Sequence, residues 1–247
     1  MKIHYAGLLL GLWMGVVSAA DYAVVNITPD DVLNVRQGAG INFPKVGKLQ
    51  GGSLGVRSTG ADKQVFVPDG YTFWRPVRHA KLSGWVRADY LAPQSGKDID
   101  AVGQAANRAF YALKDCRAEA LAKLAHPAKG VRFGVTLNEF TPSDVTLSAQ
   151  DIRAAFRSQR IYRWGTMHGE TVEMSLSALC DTVLQPPGIV QSVQVGEVLS
   201  SHGLNNAHMV NYHDADTVEG GKAGFKVLVE QYQGNWYLVG LVPWSEI

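Results

Sequence analysis

The chain carries no excess of charge of either sign. Its 23 Lys and Arg face 22 Asp and Glu, a formal net charge of +1, and removal of Lys2 with a leader would leave 22 of each. Polyanion binders show a basic surplus, so general nucleic-acid binding is not expected. Strong attachment to anionic lipid is disfavoured for the same reason. A membrane-length apolar run is also missing. The N-terminal apolar stretch, residues 5–17, is interrupted by Gly7, Gly11 and Gly15 and falls short of the roughly 20 residues that cross a bilayer. With Lys2 before it and Ser18-Ala19-Ala20 ahead of Asp21, it reads as an export signal cleaved after residue 20. An uncleaved anchor is the other reading. No cysteine directly follows the cleavage site, where Asp21 stands, so lipid attachment is not expected. Repeats and low-complexity segments are absent, and 46% hydrophobic with 18% charged residues implies no long disordered region.

Cysteine is scarce. Only Cys116 and Cys180 are present. In an oxidising compartment a bridge between them is chemically allowed, and free buried cysteines on helices are the other reading.

What is present divides by pattern. Residues 21–92 hold short apolar runs separated by turn signals, such as Tyr22-Ala23-Val24-Val25, the alternating Asp31-Val32-Leu33-Asn34-Val35-Arg36, and Gly84-Trp85-Val86. Many closely spaced short strands in so few residues predict a small all-β barrel. Residues 93–97, Pro93-Gln94-Ser95-Gly96-Lys97, read as a linker. Residues 98–247 read as an α+β domain, helices first and antiparallel sheet last. Apolar spacing predicts one helix over residues 98–124, ended by Pro127. Ser148-Ala149-Gln150-Asp151 opens a second with a capping-box pattern, and a third spans residues 175–183 before Pro186-Pro187. Residues 208–213 are a strand candidate, and residues 224–232 with 235–242 form a hairpin around Gly234-Asn235.

Leu33-Asn34-Val35-Arg36, Gly38 and Gly40, Val46-Gly47-Lys48-Leu49, and Gly84-Trp85-Val86 with Tyr90-Leu91 together give the first domain its character. This set resembles the bacterial SH3-like domain of secreted and envelope proteins. Gln37 and Ala39 depart from its usual small polar residue and proline, and residues 59–72 look like a loop insertion. The resemblance implies a binding module for cell-wall peptide, glycan or an envelope protein, in the periplasm or secreted. More faintly, His126-Pro127-Ala128-Lys129-Gly130-Val131-Arg132-Phe133, Tyr162-Arg163-Trp164-Gly165-Thr166 and Asn235-Trp236-Tyr237-Leu238-Val239-Gly240 resemble a family of uncharacterised exported bacterial domains. A nuclear-transport-factor-like cone would fit the order of helices and sheet.

Among candidate chemistries, binding by the first domain is the best supported. Trp74, Trp85, Tyr71 and Tyr90 come from different strands, and flat amphipathic rings suit peptide or sugar recognition. Arg36 would add a carboxylate contact. A small barrel also needs aromatics inside, and Trp85 is assigned to the core whereas Trp74 is assigned to the surface. In the second domain Arg132, His208 and His213 are candidates for a pocket, and Lys129 with Arg132 for a basic wall; a helix stop leading into a strand is the structural alternative. The main functional alternative is a cell-wall hydrolase of cysteine-peptidase type using Cys180 with His202, His208 or His213. Against it, Leu179-Cys180-Asp181-Thr182 falls late in a helix beside a carboxylate, which raises a thiol pKa. His202, His208, His213, Asp214 and Asp216 cluster but lack a fixed metal-ligand spacing, so no metal or other cofactor is expected. Glu139, Asp144, Glu170 and Glu173 show no pairing that would support glycoside hydrolysis. The expected protein is thus an exported, non-enzymatic binding or scaffolding protein, without nucleic-acid partners and without a membrane span once its leader is removed.

Overall fold

Alternation shapes the first seventy described residues. The computed structural model describes residues 21–136, 140–197, 204–214 and 222–246. The export signal at residues 1–20, Glu139, His202 and Asp216 lie outside them. In β2 (Val32–Arg36), Leu33 and Val35 are buried while Val32, Asn34 and Arg36 face the other way. The same period places Leu49 of β3 (Lys45–Gln50), Val56 of β4 (Val56–Ser58), Val77 of β6 (Gly70–His79) and Val86 of β7 (Leu82–Arg87) in one small core with Val24 of β1 (Asp21–Val24). Among the described residues, strand β5 (Lys63–Val67) pairs with β6 alone. A 3-10 turn, Ala88–Tyr90, leads into β8 (Leu91–Gly96).

The expectation of a separate all-β domain joined by a linker to an α+β domain is overturned at β8. Residues 93–96, read as linker, are strand. Their strand, β8, pairs antiparallel with β1 through Tyr22↔Pro93 and Ala23↔Ala92. On the other side β8 pairs parallel with β13 (Ser192–Glu197) through Gln94↔Val193 and Gly96↔Val195. One mixed sheet of 14 strands therefore runs through the molecule, in the order β10-β9-β16-β15-β14-β13-β8-β1-β4-β6-β7-β2-β3, with β5 beside β6. Here β9 is Val131–Phe133, β10 Val145–Leu147, β14 Ala207–His213, β15 Lys222–Tyr232 and β16 Asn235–Glu246. Local Pro and Gly signals mark a breaker, but partners a hundred residues away satisfy the backbone and override them. Gly96 makes the approach possible: it has φ +88, and a Cβ there would lie 1.9 Å from the Val195 carbonyl oxygen.

Among the described residues, four helices and a two-stranded ribbon, β11 (Tyr162–Met167) with β12 (Glu170–Met174), complete the fold. The helix expected over residues 98–124 is two, α1 (Asp100–Lys114) and α2 (Ala118–Leu124). The chain reverses between them at Cys116, whose φ is +46. Its sulfur joins that of Cys180 in α4 (Leu176–Thr182). Helix α3 (Ala149–Arg157) starts from the expected capping box: Ser148 Oγ accepts from Asp151 N at 3.2 Å, and the Asp151 carboxylate accepts from Ser148 N at 3.2 Å. The apolar stripe of α1 (Val102, Ala106, Ala109, Phe110 and Leu113) buries against β14–β16 and forms, with Trp164, Phe133 and Phe225, the main core. The hairpin of β15 and β16 turns at Gln233 and Gly234, both at positive φ, one residue earlier than expected.

Candidate functional site

The outward face of β2 faces a groove of about 360 Å³. Asn34 and Arg36 come from that face. Register adds its neighbours: Arg36 lies opposite Trp85 on β7, and Arg87 lies opposite Trp74 on β6. Arg36, Trp74, Trp85 and Arg87 thus share one side of the sheet, with Arg36, Trp74 and Arg87 lining the groove. Tyr90 of the 3-10 turn and Ile41 of the β2–β3 loop close it, and Asn26, Ile27 and Thr28 form the wall beyond β1.

The loop of residues 37–44 is built for close packing. Gln37 N donates to Pro44 O at 2.9 Å, and Arg36 Nη1 donates to Phe43 O at 2.8 Å. The Phe43 ring presses on Gly38 so closely that a Cβ would meet it at 2.6 Å. The glycine signal read in the sequence therefore builds one rim of the groove. Trp74 is buried, 3% exposed, and its Nε1–H donates to Thr72 Oγ1 at 3.0 Å. Among the described residues it belongs to none of the apolar core clusters, and it lines the groove.

The structure reverses the expected places of the two tryptophans. Trp74, expected at the surface, is buried, whereas Trp85, expected in the core, is half-exposed. Alternation along Gly84-Trp85-Val86 admits one residue to the core, and Val86, 0% exposed, takes it. Tyr71 stands apart from the other candidates. It is one side-chain step from Thr72 and three from Trp74 on β6, so it faces the opposite side, 58% exposed.

Two guanidiniums reach the groove. Among the described residues Arg36 uses one donor, to Phe43 O. Arg87 pairs through Nη2 with Asp89 and stacks 5.5 Å from the Tyr90 ring centre, while its buried Nε has no hydrogen-bond partner among the described residues. Asp31 also lines the groove, but its Oδ1 accepts from Val32 N at 2.7 Å. Arg87, Asn26 and Asn34 are groove residues that no sequence pattern singled out: Arg87 and Asn34 sit on strands of unknown register, and Asn26 lies in the bend after β1.

The groove wall is clamped by the distant half of the chain. Asn26, at φ +58, exchanges two hydrogen bonds with Val190: Nδ2 donates to Val190 O at 3.3 Å and Oδ1 accepts from Val190 N at 3.0 Å. Its side chain acts there as a short piece of strand backbone. Asn107 Nδ2 of α1 donates to Ile27 O at 3.3 Å.

A second cleft, about 580 Å³, lies where the β6–β7 turn meets the start of α1 and is lined by Arg57, Arg78, His79, Asp98 and Asp100. His79 Nε2 sits 3.1 Å from Asp100 Oδ2, and Leu54 N donates to Asp100 Oδ1 at 2.7 Å. The hydrogen bond to Asp100 raises the His79 pKa against a burial penalty. Burial pushes the Asp100 carboxyl upward, but the His79 and Leu54 hydrogen bonds outweigh it and hold it below its ordinary value. Both partners are engaged in holding the junction together.

Arg132, His208 and His213 do not converge. Arg132 lies in the cross-strand row Gly240, Leu228, Met209. His208 precedes Met209 on β14 and so faces the opposite side, its ring 5.3 Å from Trp236. His213 shares the face of Met209 but lies two same-face positions along, three strands from β9 or roughly 14 Å at about 4.8 Å per strand. Lys129 is no open basic wall: its Nζ contacts both carboxylate oxygens of Glu230, at 2.8 and 2.6 Å. His126 is 2% exposed, and its Nδ1 accepts from Ala128 N and Lys129 N at 3.2 and 3.0 Å. Burial lowers its pKa. Cys180 is bonded to Cys116 and 0% exposed, so it offers no thiolate for attack. Asp144 closes a turn through Thr141 N at 2.7 Å, and Glu170 and Glu173 sit exposed on the β11–β12 ribbon. Among the described residues, no three of His, Cys, Asp and Glu are grouped to hold a metal ion. Among them too, no helix is long and apolar enough to cross a membrane. Comparisons of the chain with protein-family models, with curated proteins and with solved structures find no match.

Proposed function

We propose that this is an exported binding protein of the cell envelope whose groove takes an extended, carboxylate-bearing peptide of the cell-wall stem type. The observation that carries the reading is the convergence of Arg36 and Arg87 on an aromatic floor of Trp74 and Tyr90. A guanidinium matches a carboxylate in two parallel hydrogen bonds, and flat rings supply contact area at small entropic cost. The amide of Asn34 lines the same groove and suits a peptide backbone. The resemblance of Leu33-Asn34-Val35-Arg36 and Gly84-Trp85-Val86 to envelope SH3-like modules supports the same class of ligand. The Cys116–Cys180 bridge supports an oxidising compartment.

The test is calorimetric titration of the full chain with a soluble muropeptide carrying free stem carboxylates, beside the same muropeptide amidated. Binding should weaken at least about tenfold on amidation and again in Arg36→Ala, a loss of about 1.4 kcal/mol each. Equal affinity for the two forms, or absence of binding to either, overturns the reading.

A further inference from the structure

The strand β5 has one neighbour. It pairs with β6 over Lys63↔Trp74 to Val67↔Gly70, and among the described residues nothing pairs with its other edge. An open edge presents a row of unmatched N–H and C=O groups, and proteins usually guard such edges with charge. The edge strand β3 is guarded in that way, with exposed Lys45 and Lys48. β5 reads Lys63-Gln64-Val65-Phe66-Val67 and carries a single charge, at its end. Phe66 is 82% exposed on it, and register places Tyr71 opposite Phe66 and Phe73 opposite Gln64 on the same face. Tyr71 and Phe73, 58% and 42% exposed, touch edge to face at 5.4 Å between ring centres.

We propose that β5 is the interface of a homodimer, in which it pairs antiparallel with β5 of a second copy about a twofold axis at Val65. The strand is complementary to itself in that register. Val65 meets Val65, Gln64 meets Phe66, and Lys63 meets Val67, so no like charges oppose each other. The register centred on Val65 pairs all five residues of the strand, whereas one centred on Phe66 pairs only Val65, Phe66 and Val67. In the symmetric register each Phe66 gains a neighbour on its bare side, and the rows Tyr71, Phe66, Gln64, Phe73 run unbroken across the axis. Twofold pairing consumes both edges at once and closes the assembly as a dimer instead of a fibre. Pro68 lies just past the strand, so a register shifted towards it pairs fewer strand residues.

Sedimentation equilibrium on the full chain tests the proposal. The wild-type protein should weigh as a dimer that dissociates on dilution. Phe66→Glu changes a side chain that folding leaves exposed, and it should halve the mass while the circular dichroism stays unchanged. Adding Gln64→Lys to Phe66→Glu should restore the dimer, because the proposed register sets each new lysine opposite a new glutamate across the axis. A wild-type monomer, a dimer indifferent to Phe66→Glu, or a failure of Gln64→Lys to restore dimerisation in a folded protein would each overturn it. A wild-type monomer that instead captures a synthetic Lys63-Gln64-Val65-Phe66-Val67 peptide would assign the edge to a foreign strand and likewise exclude the homodimer.

Discussion

Protonation of His79 is tied to its position between the β6–β7 turn and α1. Its pKa is raised by the bond to Asp100, so the stability it contributes is complete below its unfolded value of 6.5. That contribution is lost as pH rises through the higher folded value. Asp100 has the opposite sign: its lowered pKa gives stability that is complete above 3.8 and lost as pH falls through the folded value. The pair is therefore strongest between those two limits. His126 behaves unlike His79, because its lowered pKa and its accepting Nδ1 require the neutral ring, and acid removes its contribution. In urea titrations the stability gap between wild type and His79→Gln should be wider at about pH 5 than at about pH 9. A gap of equal size at both values would show that the imidazolium contributes nothing. At this same scale the sequence discloses chemistry better than orientation. Arg36 stands out by its type as a candidate contact and does line the groove, but Trp74 and Trp85 exchange places because the face each takes depends on pairing with a strand the sequence does not identify.

Among the elements, those fixed by neighbours in sequence are the ones that sequence discloses. The Ser148 capping box, the Ser175 cap of α4 and the positive-φ turn before Asn235 need only adjacent residues, and each starts or turns its element close to where the pattern predicts. Helix α1 illustrates the limit. Its apolar period continues past Lys114, yet the chain breaks at Cys116 to meet Cys180 across a separation of 64 residues. A cross-link of that span restrains the unfolded chain by about 4 kcal/mol on the chain-entropy model. The double variant Cys116→Ser, Cys180→Ser should lose a comparable amount in guanidinium unfolding, and reductant should affect the wild type alone. A loss below about 1 kcal/mol would mean that α1 and α4 are held by packing without the bridge.

For the molecule as a whole, β8 decides the organisation. A segment of Pro, Ser and Gly has the composition of a tether, and its role as a shared strand follows only from β1 on one side and β13 on the other. Long-range pairing of this kind leaves no local trace, which is why two independent domains are the natural reading of the sequence and the continuous sheet is the outcome. The halves should consequently unfold together. Trp85 reports on one half and Trp164 on the other, and both should follow one denaturant transition. Gly96→Ala would drive a methyl into the Val195 carbonyl, 1.9 Å away, and should destabilise the protein by more than about 2 kcal/mol. Two separated transitions in the wild type, or an unchanged midpoint in Gly96→Ala, would contradict the coupling.

The pairing of Asn26 with Val190 extends that coupling to recognition. Asn26 belongs to the groove wall and Val190 to the segment that leads into β13, so one amide side chain is a member of both. Thermodynamic reciprocity then applies. Whatever free energy a bound molecule gains by holding residues 26–28 in place also opposes any motion that draws Val190 away, and loosening of the far half weakens the grip by the same amount. Occupancy of the groove is in this sense a quantity that β13, on the far side of β8, can sense.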